Sequence, residues 1–141
     1  MSRYMLIRRL RGPAFLLLLG DMDNLKLVND THGHTAGNIE LRRLADALAR
    51  LIRPGDELAR VGGDEFAILT KGPIEEAERL CRRLRDKLAA DALPVTFGWA
   101  ALPADGVRPL ELFRKADDRL YARKLISRNV RVVRQLAAPQ Q

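Results

Sequence analysis

The chain has 141 residues, 47% of them hydrophobic and 30% charged, and carries a net charge of +7 with a pI near 10.3. That length fits one domain with a real core. The longest apolar run, "AFLLLL" at 14 to 19, falls far short of the roughly 20 residues that cross a bilayer, and a single cysteine excludes an internal disulfide, so a reducing, cytoplasmic setting is expected.

In chain order, "MSRYMLIRRLRG" reads as a helix. It mixes basic and apolar residues and builds no signal-peptide block. The run 14 to 19 lacks polar alternation, so it predicts a buried strand covered on both faces, ending at "GDMD". From Thr35 to Arg53, Leu41, Leu44, Ala45, Leu48, Leu51 and Ile52 recur at helical spacing, and Pro54 and Gly55 then mark a turn. "ELARV" and "EFAIL" flank "GGD" and predict a hairpin.

A helix opens at Gly72 and Pro73, with Glu75 and Glu76 in its first turn. Its inner side carries Ala77, Leu80, Cys81, Leu84 and Leu88, which makes Cys81 a core residue rather than a reactive thiol. "PVTFGWAAL" predicts a strand. "RPLELFRKADDRLYARKL" predicts a helix with Leu110, Phe113, Ala116, Leu120 and Tyr121 inward, "NVRVVRQL" a last strand, and residues 135–141 a disordered tail. The fold class is therefore α/β (α+β): one domain over residues 1–134, with a mixed, mostly antiparallel sheet of about five strands flanked by helices.

Carboxylates gather at two strand ends, Asp21 and Asp23 in "GDMDNLK" and Asp64 and Glu65 in the hairpin. Asp21 and Asp23 share one face of an extended chain. If the first strand lies beside the hairpin, Asp21 and Asp64 converge. Carboxylates held together resist ionisation unless a cation neutralises them, and oxygen ligands favour a hard ion such as Mg²⁺ with substrate phosphates completing its shell. Gly62 and Gly63, without a β-carbon, can take positive φ and let a phosphate approach the backbone.

Other chemistries are excluded. An EF-hand loop starting at Asp21 would need glycine and glutamate where Lys26 and His32 stand. Neither G-x-x-x-x-G-K-[ST] nor G-x-G-x-x-G occurs, and His32 and His34 lack zinc spacing, which leaves them surface or capping roles. The positive charge suits an anionic partner. A nucleic-acid-binding domain would rest on that charge alone, because aromatic residues are only 5% of the chain and no stacking surface is evident.

The motif "GGDEF" at 62 to 66, together with "DMDNLKLVNDTHGHTAGN", "VTFGWA" and "ADDRLYARKLISRN", resembles the GGDEF family of diguanylate cyclases. The last three are similar to that family's D-x-D-x-F-K-x-x-N-D-x-x-G-H-x-x-G-D, S-x-G-x-A and A-D-x-A-L-Y-x-A-K-x-x-G-R-N, and the likeness covers residues 3 to 131. It implies a nucleotidyl cyclase or polymerase-palm fold and the condensation of two GTP into cyclic di-GMP, a bacterial second messenger, with release of two pyrophosphates. Two protomers would face each other in a transient homodimer, each holding one GTP, with neither nucleic acid nor membrane insertion involved. By match, Asp21, Asp64 and the Met22 carbonyl would hold Mg²⁺ or Mn²⁺. Glu65 would lie near a second metal or deprotonate the attacking hydroxyl, beside Asp64 in the catalytic pair. Lys26, Lys124 and Arg128 would bind the triphosphate at the turn of Gly62 and Gly63, and Asn29 and Asn38 would face the guanine. Arg53 and Asp56, in "RPGD", match an R-x-x-D site for product inhibition. The alternative is a catalytically weak domain that binds cyclic di-GMP or GTP and signals to a partner.

Asn38 departs from the motif, which has aspartate there. An amide offers one acceptor oxygen and two donors, so it cannot accept from guanine N1–H and the 2-amino group together. Weaker GTP affinity and relaxed purine selectivity are expected. "SRYMLIRRL" is similar to the stretch just after the family's D-x-L-T-G-L-x-N segment, which the chain lacks; reduced activity or a loosened first helix is the expectation. Leu25 stands for a usual phenylalanine and Ser127 for a usual glycine.

Overall fold

The computed structural model describes residues 14–137, so the helix expected before Ala14 and residues 138–141 of the expected tail lie outside the described residues. The apolar run becomes strand β1 (Phe15–Met22), buried on both faces except at Asp21. Asn24 then takes a left-handed conformation (φ 62°), which asparagine tolerates better than most residues, and turns the chain into helix α1 (Leu25–His32). Gly33, at φ 88°, makes the elbow into α2 (His34–Leu51). His32 and His34 flank that elbow and are exposed.

The predicted hairpin forms as β2 (Glu57–Arg60) and β3 (Glu65–Lys71). Pro73 precedes a short 3₁₀ turn (Ile74–Glu76), so the next helix, α3 (Ala77–Ala90), starts four residues beyond the proline rather than at it. β4 (Val95–Leu102) and α4 (Pro109–Ala137) complete the described chain.

Among the described residues the sheet has four strands, ordered β2-β3-β1-β4, and every pairing is antiparallel. The expected fifth strand is absent: "NVRVVRQL" continues α4, which runs unbroken to Ala137. No glycine or proline interrupts the helix there, and adding residues to an existing helix is far easier than nucleating a new element.

Two apolar layers sandwich the sheet. Leu16, Leu18, Phe66, Ile68, Phe97 and Trp99 face Leu41, Leu44 and Leu48 of α2 and Cys81, Leu84 and Leu88 of α3. Leu17, Leu19, Ala67, Leu69 and Ala100 face α4 through Leu112, Phe113, Ala116 and Leu120. The inward face of α4 therefore includes Leu112, whereas Leu110 and Tyr121, expected inside, are 70% and 65% exposed. Cys81 is core, and burial pushes its thiol up to about 12, so it stays protonated and inert at neutral pH.

Candidate functional site

The strand register builds the site. β1 and β3 pair so that Asp21 lies opposite Glu65, which brings the ends of β1 and the hairpin turn together. Asp21 and Asp64 converge as expected. Burial pushes the Asp21 carboxyl above its ordinary value of 3.8; Lys124 pulls it back down, and the Asp64 carboxylate beside it pushes it up again. Asp21 Oδ1 is buried with no hydrogen-bond partner among the described residues.

These acids open onto a cleft of about 520 Å³ whose wall includes Asp21, Met22, Lys26, Asp64, Lys124 and Arg128. Lys124 Nζ sits 2.9 Å from Asp21 Oδ2 and 3.8 Å from Asp23 Oδ1. Asp23 also accepts from Thr96 Oγ1 at 2.7 Å, which ties it to β4. Asp23, Asp30 and Ser127 line the same cleft, although the family motifs assign them no role there. The i, i+4 spacing of Lys26 and Asp30 on α1 is the signal that could have found Asp30.

An orphaned, buried carboxylate oxygen next to a second carboxylate fits a hard divalent cation. No group of three or more histidine, cysteine, aspartate or glutamate side chains among the described residues is placed to hold a metal ion. A metal would therefore take two carboxylates and fill its shell with a backbone carbonyl, water or phosphate oxygens.

The remaining expected residues do not line this cleft. Gly62 and Gly63 are exposed at the turn, where their carbonyls accept from Arg60, Nε lying 3.3 and 3.1 Å away. Neither uses the positive φ that glycine permits; the positive-φ glycines described are Gly33, Gly55 and Gly106. The turn closes through Val61 N–H donating to the Glu65 carbonyl at 2.9 Å, so no left-handed residue is needed. The space beside Gly63 is open, since a β-carbon there would meet nothing within 4 Å.

Asn29 packs against α2: its Oδ1 lies 1.8 Å from where a β-carbon on Gly37 would stand, and this oxygen is also buried and unpaired among the described residues. Asn38 is exposed and lines a separate groove between α2 and β2 with Arg42, Asp46 and Arg60. Asn29 thus packs against Gly37, the residue before Asn38, and neither amide lines the acidic cleft.

Arg53 and Asp56 pair at 3.6 Å, and Asp56 Oδ2 accepts from the Arg53 backbone N–H at 2.9 Å. Arg53 Nη2 also donates to the Lys71 carbonyl at 2.8 Å and to Thr70. This pair lines a cavity of about 230 Å³ with Arg79, Arg83 and Lys87. It sits toward the Lys71 end of β3, roughly 20 Å along the strand from Glu65.

The family profile described as "Diguanylate cyclase, GGDEF domain" matches residues 5–130. The chain belongs to the GGDEF family. This GGDEF domain is 36% identical over 132 residues to the probable diguanylate cyclase DgcT of Escherichia coli K12, covering 85% of this chain and 29% of that protein. It spans less than half the length of such curated relatives. Its fold matches a sensory box/GGDEF family protein from Caulobacter crescentus with a TM-score of 0.74 at 31% identity, covering 86% of each chain. It also matches the GGDEF domain of Caulobacter crescentus DgcB in complex with c-di-GMP, with a TM-score of 0.69 at 26% identity over 79% of this chain and 72% of that one. No helix among the described residues is long and apolar enough to cross a membrane.

Proposed function

We propose that this GGDEF domain is a diguanylate cyclase working in the cytoplasm, joining two GTP into cyclic di-GMP and releasing two pyrophosphates. The observation that carries the reading is the convergence of Asp21 and Asp64, with an orphaned carboxylate oxygen, in a cleft that also holds Lys26, Lys124 and Arg128.

Asp21, Asp64 and the Met22 carbonyl would hold Mg²⁺ or Mn²⁺, which when bound would neutralise charge on the triphosphate and its leaving pyrophosphate. Lys26, Lys124 and Arg128 bind phosphate oxygens and orient the α-phosphate, since phosphoryl transfer depends on positioning and charge neutralisation. Lys124 is already within reach of the Asp21 carboxylate, so the same ammonium can bridge carboxylate and phosphate. Gly62 and Gly63 leave room for the phosphates at the turn. Asn29 and Asn38 face the guanine from the α1–α2 elbow. Each 3′-hydroxyl attacks the α-phosphate held by the opposite protomer of a transient homodimer and loses its proton as pyrophosphate departs. Glu65, opposite Asp21 in the register, either accepts that proton or sits near a second metal. Arg53 and Asp56, with their basic neighbours, take cyclic di-GMP as an inhibitor; the guanidinium suits phosphate and guanine edges alike.

One observation favours a binding module over an enzyme: Asn38 lies outside the cleft, while Arg53 and Asp56 have a cavity of their own. Incubating the purified domain with Mg²⁺ and GTP and weighing the nucleotides separates the two. Cyclic di-GMP is the expected product. Absence of both linear and cyclic dinucleotides, with tight cyclic di-GMP binding, would promote the module.

A further inference from the structure

Among the described residues β4 is an edge strand, bonded to β1 on one side only. Such an edge exposes backbone groups that ordinarily invite another strand. Here side chains take two of them: Arg119 Nη1 donates to the Trp99 carbonyl at 2.8 Å, and Asp105 Oδ2 accepts the Ala101 N–H at 2.8 Å. The same two side chains lock together, Arg119 Nη1 to Asp105 Oδ2 at 2.7 Å and Nη2 to Oδ1 at 3.0 Å. This paired fork is the geometry that guanidinium and carboxylate make best.

Arg119 belongs to α4, which covers one face of the sheet, whereas the Trp99 ring packs in the layer on the opposite face. The arginine therefore wraps the edge, and its guanidinium carbon stacks 3.8 Å from the centre of the Trp99 ring. Trp99 Nε1 donates to Glu78 Oε1 of α3 at 2.7 Å, and the other oxygen of Glu78 pairs with Arg123, one turn beyond Arg119 on α4. The result is a strap around the open edge that ties α4 to β4 and α3.

Both arginines stand where the motif A-D-x-A-L-Y-x-A-K has alanine, so the strap is built on departures from the pattern. Its position suggests its use. α4 meets β4 at Gly98, where helix backbone touches the strand directly: a β-carbon there would lie 2.3 Å from the Ala116 carbonyl oxygen and 2.4 Å from Leu120 N. A glycine contact lets the helix approach but interlocks no side chain at that point, so beyond the core contacts of Leu112, Phe113, Ala116 and Leu120 the strap is what holds the helix to the strand edge. Lys124 and Arg128, which reach the cleft, lie just beyond on the same helix.

We propose that Arg119, supported by Asp105, Trp99 and the Arg123–Glu78 pair, is a positioning residue that fixes the height and rotation of α4 and so delivers Lys124 and Arg128 to the triphosphate. The inference rests on reading the cleft as a GTP site. It is tested by calorimetric titration of a non-hydrolysable GTP analogue with Mg²⁺ into the intact domain and into Arg119→Ala, Arg119→Lys and Asp105→Asn, with steady-state KM and kcat beside it. Arg119→Ala should weaken analogue binding about three- to tenfold and raise KM in proportion. Arg119→Lys, which keeps the charge but offers no fork, should fall between. Asp105→Asn keeps an acceptor for Ala101 and should shift binding the same way by less, which covers the case of an Arg119→Ala chain that does not fold. Variants that melt earlier but bind the analogue as the native chain does would overturn the proposal while leaving the GTP reading intact. A native chain that does not bind the analogue would sink both.

Discussion

Lys124 Nζ lies 2.9 Å from Asp21 Oδ2 and 3.8 Å from Asp23 Oδ1, so one ammonium from α4 serves both carboxylates at the end of β1. The Lys124 and Asp21 side chains are each 22% exposed, which leaves the pair open to solvent screening. An ion pair of this kind contributes about 0.2–1 kcal/mol to stability. Its larger value is to hold a cation where phosphates would bind. Lys124→Ala should leave the melting temperature nearly unchanged but lower kcat/KM for GTP roughly 10- to 100-fold, the scale of one lost charge-assisted contact. Comparable turnover in both chains would remove Lys124 from the site.

Asp21→Asn tests the acidic pair from the other side. Burial and the neighbouring Asp64 make the ionised Asp21 costly to keep in the folded chain, an arrangement expected of a functional rather than a stabilising carboxylate. The amide should abolish turnover and Mg²⁺-dependent GTP binding without lowering the melting temperature. A fall of several degrees would mark Asp21 as a structural residue instead.

Asn38→Asp restores the carboxylate of the family motif. A carboxylate accepts two hydrogen bonds where the amide accepts at one oxygen. One added charge-assisted bond is worth roughly 1.5–3 kcal/mol, so the preference for GTP over ATP should rise by about tenfold or more. Measuring turnover of both nucleotides by both chains checks it. Equal selectivity would show that Asn38, exposed in its own groove, does not read the base.

Asp105 carries a pH dependence with a definite sign. The hydrogen bond from Arg119 holds its carboxyl below the ordinary value of 3.8, with burial opposing. The folded chain therefore binds fewer protons than the unfolded chain in the window between the two values. The stabilisation is fully present above pH 3.8 and is lost as the pH falls below it through the folded value. Thermal melts across this acidic range should show the native chain losing stability more steeply than Asp105→Asn. Parallel curves would mean that the edge strap contributes nothing to acid sensitivity.

The elements that formed as predicted are those whose signal is local. "AFLLLL" is apolar at every position and buries on both faces; the leucines of α2 repeat at helical spacing; the hairpin comes from strand-forming runs around Gly62 and Gly63. The convergence of Asp21 and Asp64 needed one further assumption, that β1 pairs with β3, and the register supports it. "NVRVVRQL" misled because its valines alternate with polar residues as in a strand, while the helix before it meets no stop signal at Ser127, where the motif has glycine. The edge strap was invisible for a different reason. Arg119, Asp105, Trp99 and Glu78 come from four separate segments, and nothing in their spacing announces that they meet.

Gly98→Ala probes the same seam from beneath. A methyl there would sit 2.3 Å from the Ala116 carbonyl oxygen, 2.4 Å from Leu120 N and 2.7 Å from Leu120 Cβ. Two of these atoms are helix backbone, which cannot rotate aside as a side chain could, so α4 must lift from β4. Overpacking of this kind costs about 1–3 kcal/mol, and more where the obstacle is rigid. Lifting α4 also carries Lys124 away from Asp21, so the folded fraction should show a raised KM for GTP as well as a lower melting temperature. Gly63→Ala is the matched control: its β-carbon enters open space and its backbone is not left-handed, so stability should be unchanged. If Gly98→Ala melts as the native chain does, the helix is not seated on the strand as described, and the placement of Lys124 loses its support.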